Sequence, residues 1–300
     1  MKNNFRLSAI AKTVLIKATG FDRAMLQMKN ILTRTWEKES RQAIIETIRL
    51  IEAHPNATKL QIKAIQENLS IQLGQDFSAL VNKKVASMNE SAYIAGGKAA
   101  AHHAGATFTF GLADRQAVAA LNNSLRYWVK DYYNDQVMGN LNDSLTAFFT
   151  DPAVSRKTLI EGLSSALNDT LAKSDSYWDM LADHTATKTR EIGRVSGYEQ
   201  AHVKRIQVRA HIDDRTTDIC RRMNGKILSV PILRKSLDKH LEACKVGNKD
   251  QMKATWKWWS NKDVAKLSEP KLQRKVNSGQ IFLPPYHARC RTITVAYFGD

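Results

Sequence analysis

The sequence has few cysteines and no long apolar segment. Its three cysteines, Cys220, Cys244 and Cys290, are too few and too scattered for a disulfide framework, and an odd number leaves one unpaired. This usage indicates a reducing compartment. No run of about 20 apolar residues occurs, so the sequence predicts no stable membrane insertion. Lysines interrupt the first apolar segment, so no secretory signal peptide is expected.

Motifs for catalysis are also lacking. The chain has no paired His–Glu motif that would hold a catalytic metal, and no Gly-rich loop that would bind a phosphate group. On these grounds we predict that the protein is not an enzyme.

Negative charge is scarce relative to positive charge. The 45 lysines and arginines outnumber the 29 aspartates and glutamates, which gives a formal net charge of +16. Basic groups that neutralise phosphates release condensed counterions, so such a surface attracts nucleic acid or acidic proteins. The alternative is that the excess only forms solvated basic faces. Hydrophobic residues make up 43% of the chain, as is typical of folded proteins.

Before residue 200, proline occurs only as Pro55 and Pro152, and the pattern is helical almost throughout. Asn56 and Asp151 next to these prolines, and Asp114, are good helix N-caps. Apolar residues recur at spacings of three and four, which is typical of a helix with one buried face. A representative stripe is Leu60, Ile62, Ile65, Leu69 and Leu73. We expect about six helices in this region.

One helical segment is unusually rich in small residues. The run Ala95–Gly105 contains three glycines and five alanines, and it predicts a tight crossing with a neighbouring helix. The alternative interpretation is a hinge or a flexible segment that changes shape. His102 and His103 are adjacent, so they cannot face one metal together on a helix.

The pattern changes after Gln200. Arg205–Ile212 alternates apolar and polar residues like a strand, and further strand-like runs occur at Lys226–Val230 and Thr292–Phe298. A lysine-rich, helical insertion at about 233–276 separates the last two. We predict a mostly α fold, in which a long-helix region (1–200) is followed by a small α+β C-terminal module (201–300) with a helical insertion.

Two motifs in this module are the most informative part of the chain. The first reads Asp213-Asp214-Arg215-Thr216-Thr217-Asp218-Ile219-Cys220 and leads to Asn224-Gly225; the second reads Pro284-Pro285-Tyr286-His287-Ala288-Arg289-Cys290-Arg291. Asp213 or Asp214 suits the N-cap of a short helix over Thr216–Arg222. Asn224-Gly225 supplies a positive-φ turn into a strand, and the two prolines stiffen the approach to the last strand.

This pairing of motifs resembles the phage Mu F-type head morphogenesis family of minor capsid proteins. The resemblance covers roughly the last hundred residues, and it includes both motifs, their order and the Asn-Gly turn. The chain departs from the family pattern in two ways. The insertion between the motifs is long and basic, and Thr292 stands where many relatives carry a second cysteine.

The resemblance implies a minor head protein of a tailed bacteriophage, present in few copies. It would bind the portal protein, the major capsid protein or a scaffolding protein during head assembly, and it would be found in the virion interior after assembly in the host cytoplasm. In some members the resemblance also implies handling or delivery of the genome, so double-stranded DNA is an expected partner.

Two other functions stay open at this stage. Mu F-type modules also occur joined to effector domains, so an enzyme such as a metal-dependent nuclease or an ADP-ribosyltransferase-like effector is the alternative. A cellular basic DNA-binding protein would explain the charge but neither motif.

The motif residues themselves allow three kinds of chemistry. We predict a buried polar network that pins the two motifs together, with the cysteines as small core residues and no cofactor. A zinc site of Cys220, His287 and Cys290, completed by His211 or Cys244, is the second interpretation. A nucleophilic pair of His287 with either cysteine is the third, although no orienting group is evident. The predicted network comprises Asp213, Asp214, Arg215, Thr216, Cys220, Pro284, Pro285, His287, Cys290 and Arg291.

The insertion combines tryptophans with lysines. Aromatic rings stack on bases and ammonium groups neutralise phosphates, so Trp258 and the lysines suit contact with DNA. Trp256 and Trp259, three apart on one predicted helix face, are expected to pack in the core. The predicted DNA-contact residues are Arg205, Arg209, Lys235, Lys239, Lys253, Lys257 and Lys262.

Overall fold

The computed structural model describes residues 20–54, 57–129, 156–214 and 216–299, together with positions 139, 141, 143, 145–147 and 150. Over these residues the protein is mostly helical, with one small antiparallel sheet near the C-terminal end, as the sequence predicts. The predicted helix starts at Asn56 and Asp151, with their prolines, lie outside the described residues. Within the described ranges, every helix is too short or too polar to span a bilayer.

Long helices form the region before residue 200. They are α1 (Gly20–Ala53), α2 (Lys59–Ile71), α3 (Phe77–His103), α4 (Leu112–Tyr127) and α5 (Arg156–Gln200). A π-helical turn at Gln72–Asp76 joins α2 to α3. The N-cap of α4 is Gly111 rather than the predicted Asp114, whose carboxylate instead accepts a hydrogen bond from the Gly111 N–H at 2.8 Å.

An aromatic core holds α1, α3 and α5 together. Trp36 of α1, Phe77 of α3 and Trp178 of α5 are almost completely buried, and their ring centroids lie 5.1 to 5.8 Å apart. Along the predicted apolar stripe, Ile65, Leu69 and Leu73 are buried and Ile62 is half-buried, whereas Leu60 in the first turn of α2 is 79% exposed. The apolar spacing therefore identifies the buried face but overestimates its length.

Glycines allow α3 and α5 to approach unusually closely. A methyl group at Gly96 would lie 2.0 Å from the carbonyl oxygen of Arg190, and one at Gly193 would lie 2.0 Å from the carbonyl oxygen of Tyr93. Side chains cannot come this close to a backbone, so only glycine permits the crossing. The tight crossing that the small-residue run predicts is confirmed.

The sheet has three antiparallel strands in the order β2-β1-β3. They are β1 (Arg205–Arg209), β2 (Ile227–Ser229) and β3 (Ile293–Tyr297). Ile206 of β1 pairs with Leu228 and with Ala296. The first strand is shorter than predicted: the Ala210 N–H bonds to the Asn224 side chain instead of a strand, and Ile212 is 49% exposed.

The helical insertion is present as predicted. After α6 (Asp218–Met223) and β2 it comprises α7 (Val230–Val246), α8 (Lys249–Thr255), α9 (Asn261–Ala265) and α10 (Glu269–Asn277). Trp256 and Trp259 are buried, as expected. They do not share a helix face, because α8 ends at Thr255 and both residues bond to the second motif: the Trp256 ring N–H donates to the Pro285 carbonyl and the Trp259 backbone N–H to the Tyr286 carbonyl.

The sheet and the long helices share one core. Tyr198 of α5 and Val208 of β1, on either side of residue 200, belong to the same buried cluster. The fully buried carboxylate of Glu191 on α5 accepts hydrogen bonds from the backbone N–H and the hydroxyl of Thr294 on β3, at 3.1 and 2.7 Å. Tyr198 donates to the Thr294 carbonyl at 2.8 Å. These bonds fix β3 against the end of α5.

We expect the glycine crossing to be sensitive to a single methyl group. Gly193→Ala should lower the free energy of unfolding by about 2 kcal/mol, because the methyl group meets the Tyr93 backbone. Gly162→Ala, on the same helix but with no atom of the described residues within 4 Å of the added methyl group, should raise that free energy by up to about 1 kcal/mol through helix propensity. Urea unfolding of both variants checks this. Equal stabilisation by both substitutions would contradict the close crossing.

Candidate functional site

The two sequence motifs meet at a group of three side chains. Cys220 lies on α6, and His287 and Cys290 lie in the loop before β3. The Cys220 sulfur is 3.1 Å from His287 Nε2 and 3.6 Å from the Cys290 sulfur. All three potential ligand atoms lie within 4.8 Å of one another, with both cysteines buried and the histidine half-buried. We call this group the Cys–His–Cys cluster.

The helix that carries Cys220 begins two residues later than predicted. Its N-cap is Thr217, not Asp213 or Asp214. The Asp213 carboxylate is engaged elsewhere, since it accepts hydrogen bonds from Arg291 and from Thr216. At the other end of α6, Gly225 has φ 82° and makes the predicted turn into β2.

A backbone hydrogen bond orients His287. Its Nδ1 lies 2.6 Å from the carbonyl oxygen of Ala288. A carbonyl oxygen can only accept, so Nδ1 carries a proton and Nε2 is the atom that faces Cys220. Pro284 and Pro285 just before it are buried, and the Pro285 carbonyl accepts the Trp256 ring N–H at 3.1 Å. Hydrogen bonds to residues before and after His287 therefore hold this loop in place.

The cluster distributes its protons unevenly. A hydrogen bond from Cys220, together with His287, lowers the pKa of Cys290 to about 4 although burial opposes this. The same hydrogen bond, and burial, raise the pKa of Cys220. Burial acts to lower the pKa of His287, but the hydrogen bond and charge of Cys290 outweigh it and the pKa is raised. At neutral pH the cluster therefore favours a thiolate at Cys290.

A polar network beside the cluster also joins the two motifs. Arg291 donates to both carboxylate oxygens of Asp213, at 2.8 and 2.7 Å. The Thr216 hydroxyl donates to Asp213 at 2.9 Å, and Arg221 donates to the carbonyl oxygens of Asp213 and Thr216. This network is built on Asp213, whereas Asp214 is exposed at the adjacent turn. Arg215 lies outside the described residues.

The two residues considered as a fourth ligand differ in position. Cys244 is buried on α7 with its sulfur 3.4 Å from His240 Nε2, so it lies outside the cluster. His211 borders a cavity of about 20 Å³ together with Cys220 and His287. Its Nε2 lies 3.8 Å from the Asp213 carboxylate, and it is not among the three grouped atoms.

A cleft of about 670 Å³ borders His287 and brings in charged residues of the long helices. Asp179 of α5 pairs there with Lys29 of α1 at 2.7 Å and with Arg289 of the second motif at 3.1 Å. Burial, followed by the charge of Asp179, raises the pKa of Asp183 to about 6. These residues are not identifiable from the sequence, because they carry no local motif and only helix packing places them beside the cluster.

All seven predicted DNA-contact residues are exposed. Lys239 and Lys257 line a groove of about 400 Å³ with Lys275, which the sequence analysis did not single out. None of the described residues that line it is acidic, although Lys257 pairs with Asp263 at 3.3 Å. We call it the lysine groove. Arg205 stacks over the Tyr297 ring on the sheet instead, and Arg209 follows on the same strand. The remaining candidates, which lie on or beside the insertion helices, are Lys235, Lys253 and Lys262.

Comparison with protein-family models, with curated proteins and with solved structures gives no match to this chain. Its function is therefore argued from the motifs and from the geometry described above.

We expect the Asp213–Arg291 ion pair to stabilise the junction of the motifs. Asp213→Asn or Arg291→Met alone should lower the free energy of unfolding by about 1–2 kcal/mol, since a charge-assisted hydrogen bond is removed. The double variant should lose about 0.5–1 kcal/mol less than the sum of the two. Denaturant unfolding of the four proteins gives this coupling, and strict additivity would show that the pair contributes nothing.

Proposed function

We propose that the protein is a minor head protein of a tailed bacteriophage, with a Mu F-type C-terminal module. The observation that carries this proposal is the closure of the two motifs into one unit. Cys220 and His287 are 67 positions apart in the chain, yet their side chains lie 3.1 Å apart. Asp213 and Arg291 meet in the same way across 78 positions. The long insertion does not separate the motifs.

We infer a structural role in the head rather than a catalytic one. The polar contacts of the motifs connect parts of the chain to each other, which is what a folded interaction module requires. The helices before the module are long: α5 has 45 residues and so extends about 68 Å. Such helices offer an extended surface to a portal, major capsid or scaffolding protein.

The charge distribution supports a position beside the genome inside the head. Between residues 233 and 276, twelve lysines and arginines occur with five aspartates and glutamates. Two predicted DNA-contact residues from this segment line the lysine groove. The three ammonium groups of the groove, of which Lys257 also pairs with Asp263 at 3.3 Å, favour the phosphate backbone of DNA over any base sequence.

The test of the proposal is where the polypeptide is found. Particles of the phage or prophage that encodes this chain should contain it at few copies relative to the major capsid protein. It should resist added protease until the heads are opened, because it lies inside. Deletion of its reading frame should reduce the yield of filled heads. Normal heads from the deletion strain, or absence of the chain from both particles and assembly intermediates, would sink the proposal.

We expect double-stranded DNA binding to depend on the lysine groove. Replacement of Lys239, Lys257 and Lys275 by glutamine should reduce the slope of log K against log salt concentration by about 0.9 for each phosphate that is no longer neutralised. The matched control replaces Lys83, Lys84 and Lys98, three exposed lysines of α3, by glutamine and changes the net charge equally. Filter retention at several salt concentrations measures both. An equal decrease in the two variants would show that binding is diffuse and does not use the groove.

A further inference from the structure

The Cys–His–Cys cluster has the spacing of a tetrahedral metal site. With Zn–S bonds of about 2.3 Å and a Zn–N bond of about 2.0 Å, a tetrahedral zinc ion places two sulfurs about 3.8 Å apart and a sulfur about 3.5 Å from a nitrogen. The two sulfurs of the cluster are 3.6 Å apart, and the Cys220 sulfur is 3.1 Å from His287 Nε2. For these two pairs, displacements of a few tenths of an ångström would admit the ion, and the Cys290 sulfur and His287 Nε2 lie within 4.8 Å of each other.

We propose that Cys220, His287 and Cys290 bind one Zn²⁺ ion, which links α6 to the loop before β3. Two thiolates and an imidazole are ligands that zinc prefers, whereas magnesium and calcium require oxygen ligands. When the ion binds, both cysteines bind as thiolates and His287 as a neutral imidazole through Nε2, so every proton held by the two sulfurs or by Nε2 passes to solvent.

The surroundings of His287 match those of a metal-bound histidine. Ligand histidines generally donate their second ring N–H to a carbonyl or carboxylate, which fixes the ring and the tautomer. His287 makes this bond to the Ala288 carbonyl at 2.6 Å, and it leaves Nε2 directed at the sulfurs. The ring therefore needs no rotation to coordinate an ion placed among the three atoms.

A water molecule completes the coordination. In the part of the chain that the structure describes, no histidine, cysteine or carboxylate provides a fourth ligand to the group. The cavity of about 20 Å³ that borders Cys220 and His287 has room for one water. Thr216 and Thr292 also line this cavity, and their hydroxyls suit contact with a water molecule there.

The ion would join two parts of the module that are far apart in the chain. Cys220 and Cys290 are 70 positions apart, and the whole helical insertion lies between them. A metal that binds only the folded arrangement adds its binding free energy to folding. This inference concerns the motif itself, so it holds or fails independently of the proposed role in the phage head.

The first experiment counts the metal in the full-length protein. Protein purified from zinc-supplemented cells without chelators should contain about one zinc per chain by elemental mass spectrometry. Cys220→Ser, Cys290→Ser and His287→Gln should each lose most of it. Cys244→Ser is the matched control, since it removes a buried cysteine outside the cluster and should retain the metal. Chelation should lower the Tm of the parent and control by several degrees and leave the three cluster variants unchanged.

A second measurement does not depend on whether the variants fold. The parent chain, stripped of metal and titrated with Co²⁺, should develop the d–d bands of a tetrahedral site and a sulfur-to-cobalt charge-transfer band, saturating at one ion per chain. Zn²⁺ should displace the cobalt and abolish both bands.

Three results would overturn the proposal. One is a protein that holds far less than one zinc and gives no cobalt spectrum. Another is a Cys220–Cys290 disulfide in the purified chain, seen as a mass two units lower and a crosslinked peptide. The third is rapid alkylation of Cys290 in zinc-supplemented protein, because a zinc-bound thiolate would be protected from the reagent.

Discussion

The close contact between the backbones of α3 and α5 determines where the rest of the molecule lies. Gly96 and Gly193 bring the two helices to a separation at which no side chain fits between them. A helix crossing that tolerates no intervening atom has little freedom to slide or rotate. Since α5 is a single helix of 45 residues, fixing its crossing with α3 also fixes the position of its C-terminal end. The sheet is built on that end.

A buried carboxylate carries this position into the sheet. Glu191 lies three residues before Arg194, and both Arg190 and Arg194 lie 3.3 Å from its carboxylate. An uncompensated charge in a core is strongly destabilising, so these arginines and the two bonds from Thr294 are required together. Together these contacts fix the position of β3 along α5. Cys290 lies just upstream of β3, so the geometry of the cluster follows from contacts made by the long helices.

The sequence predicts the features that depend on near neighbours. Period-2 alternation identifies β1, short strand-like runs identify β2 and β3, Asn224-Gly225 identifies the turn, and the small-residue run identifies the tight crossing. It does not distinguish Asp213 from Asp214, because the choice depends on Arg291, 78 positions away. The sequence does not predict the cleft beside His287 for the same reason, since Asp183 reaches the cleft only through the packing of α5. The local sequence pattern thus predicts the helices, strands and turns, whereas the site is formed by contacts between residues that are distant in the chain.

The helical insertion is bonded directly to the second motif. Trp256 and Trp259 bond to the carbonyl oxygens of Pro285 and Tyr286, directly before His287. Lys257 lies between these two tryptophans, so the lysine groove is held in a fixed relation to the Cys–His–Cys cluster. A long basic insertion is therefore compatible with closed motifs, because its own core residues tie it to the loop that it precedes. The contacts of the two tryptophans therefore position both the lysine groove and the loop that carries His287.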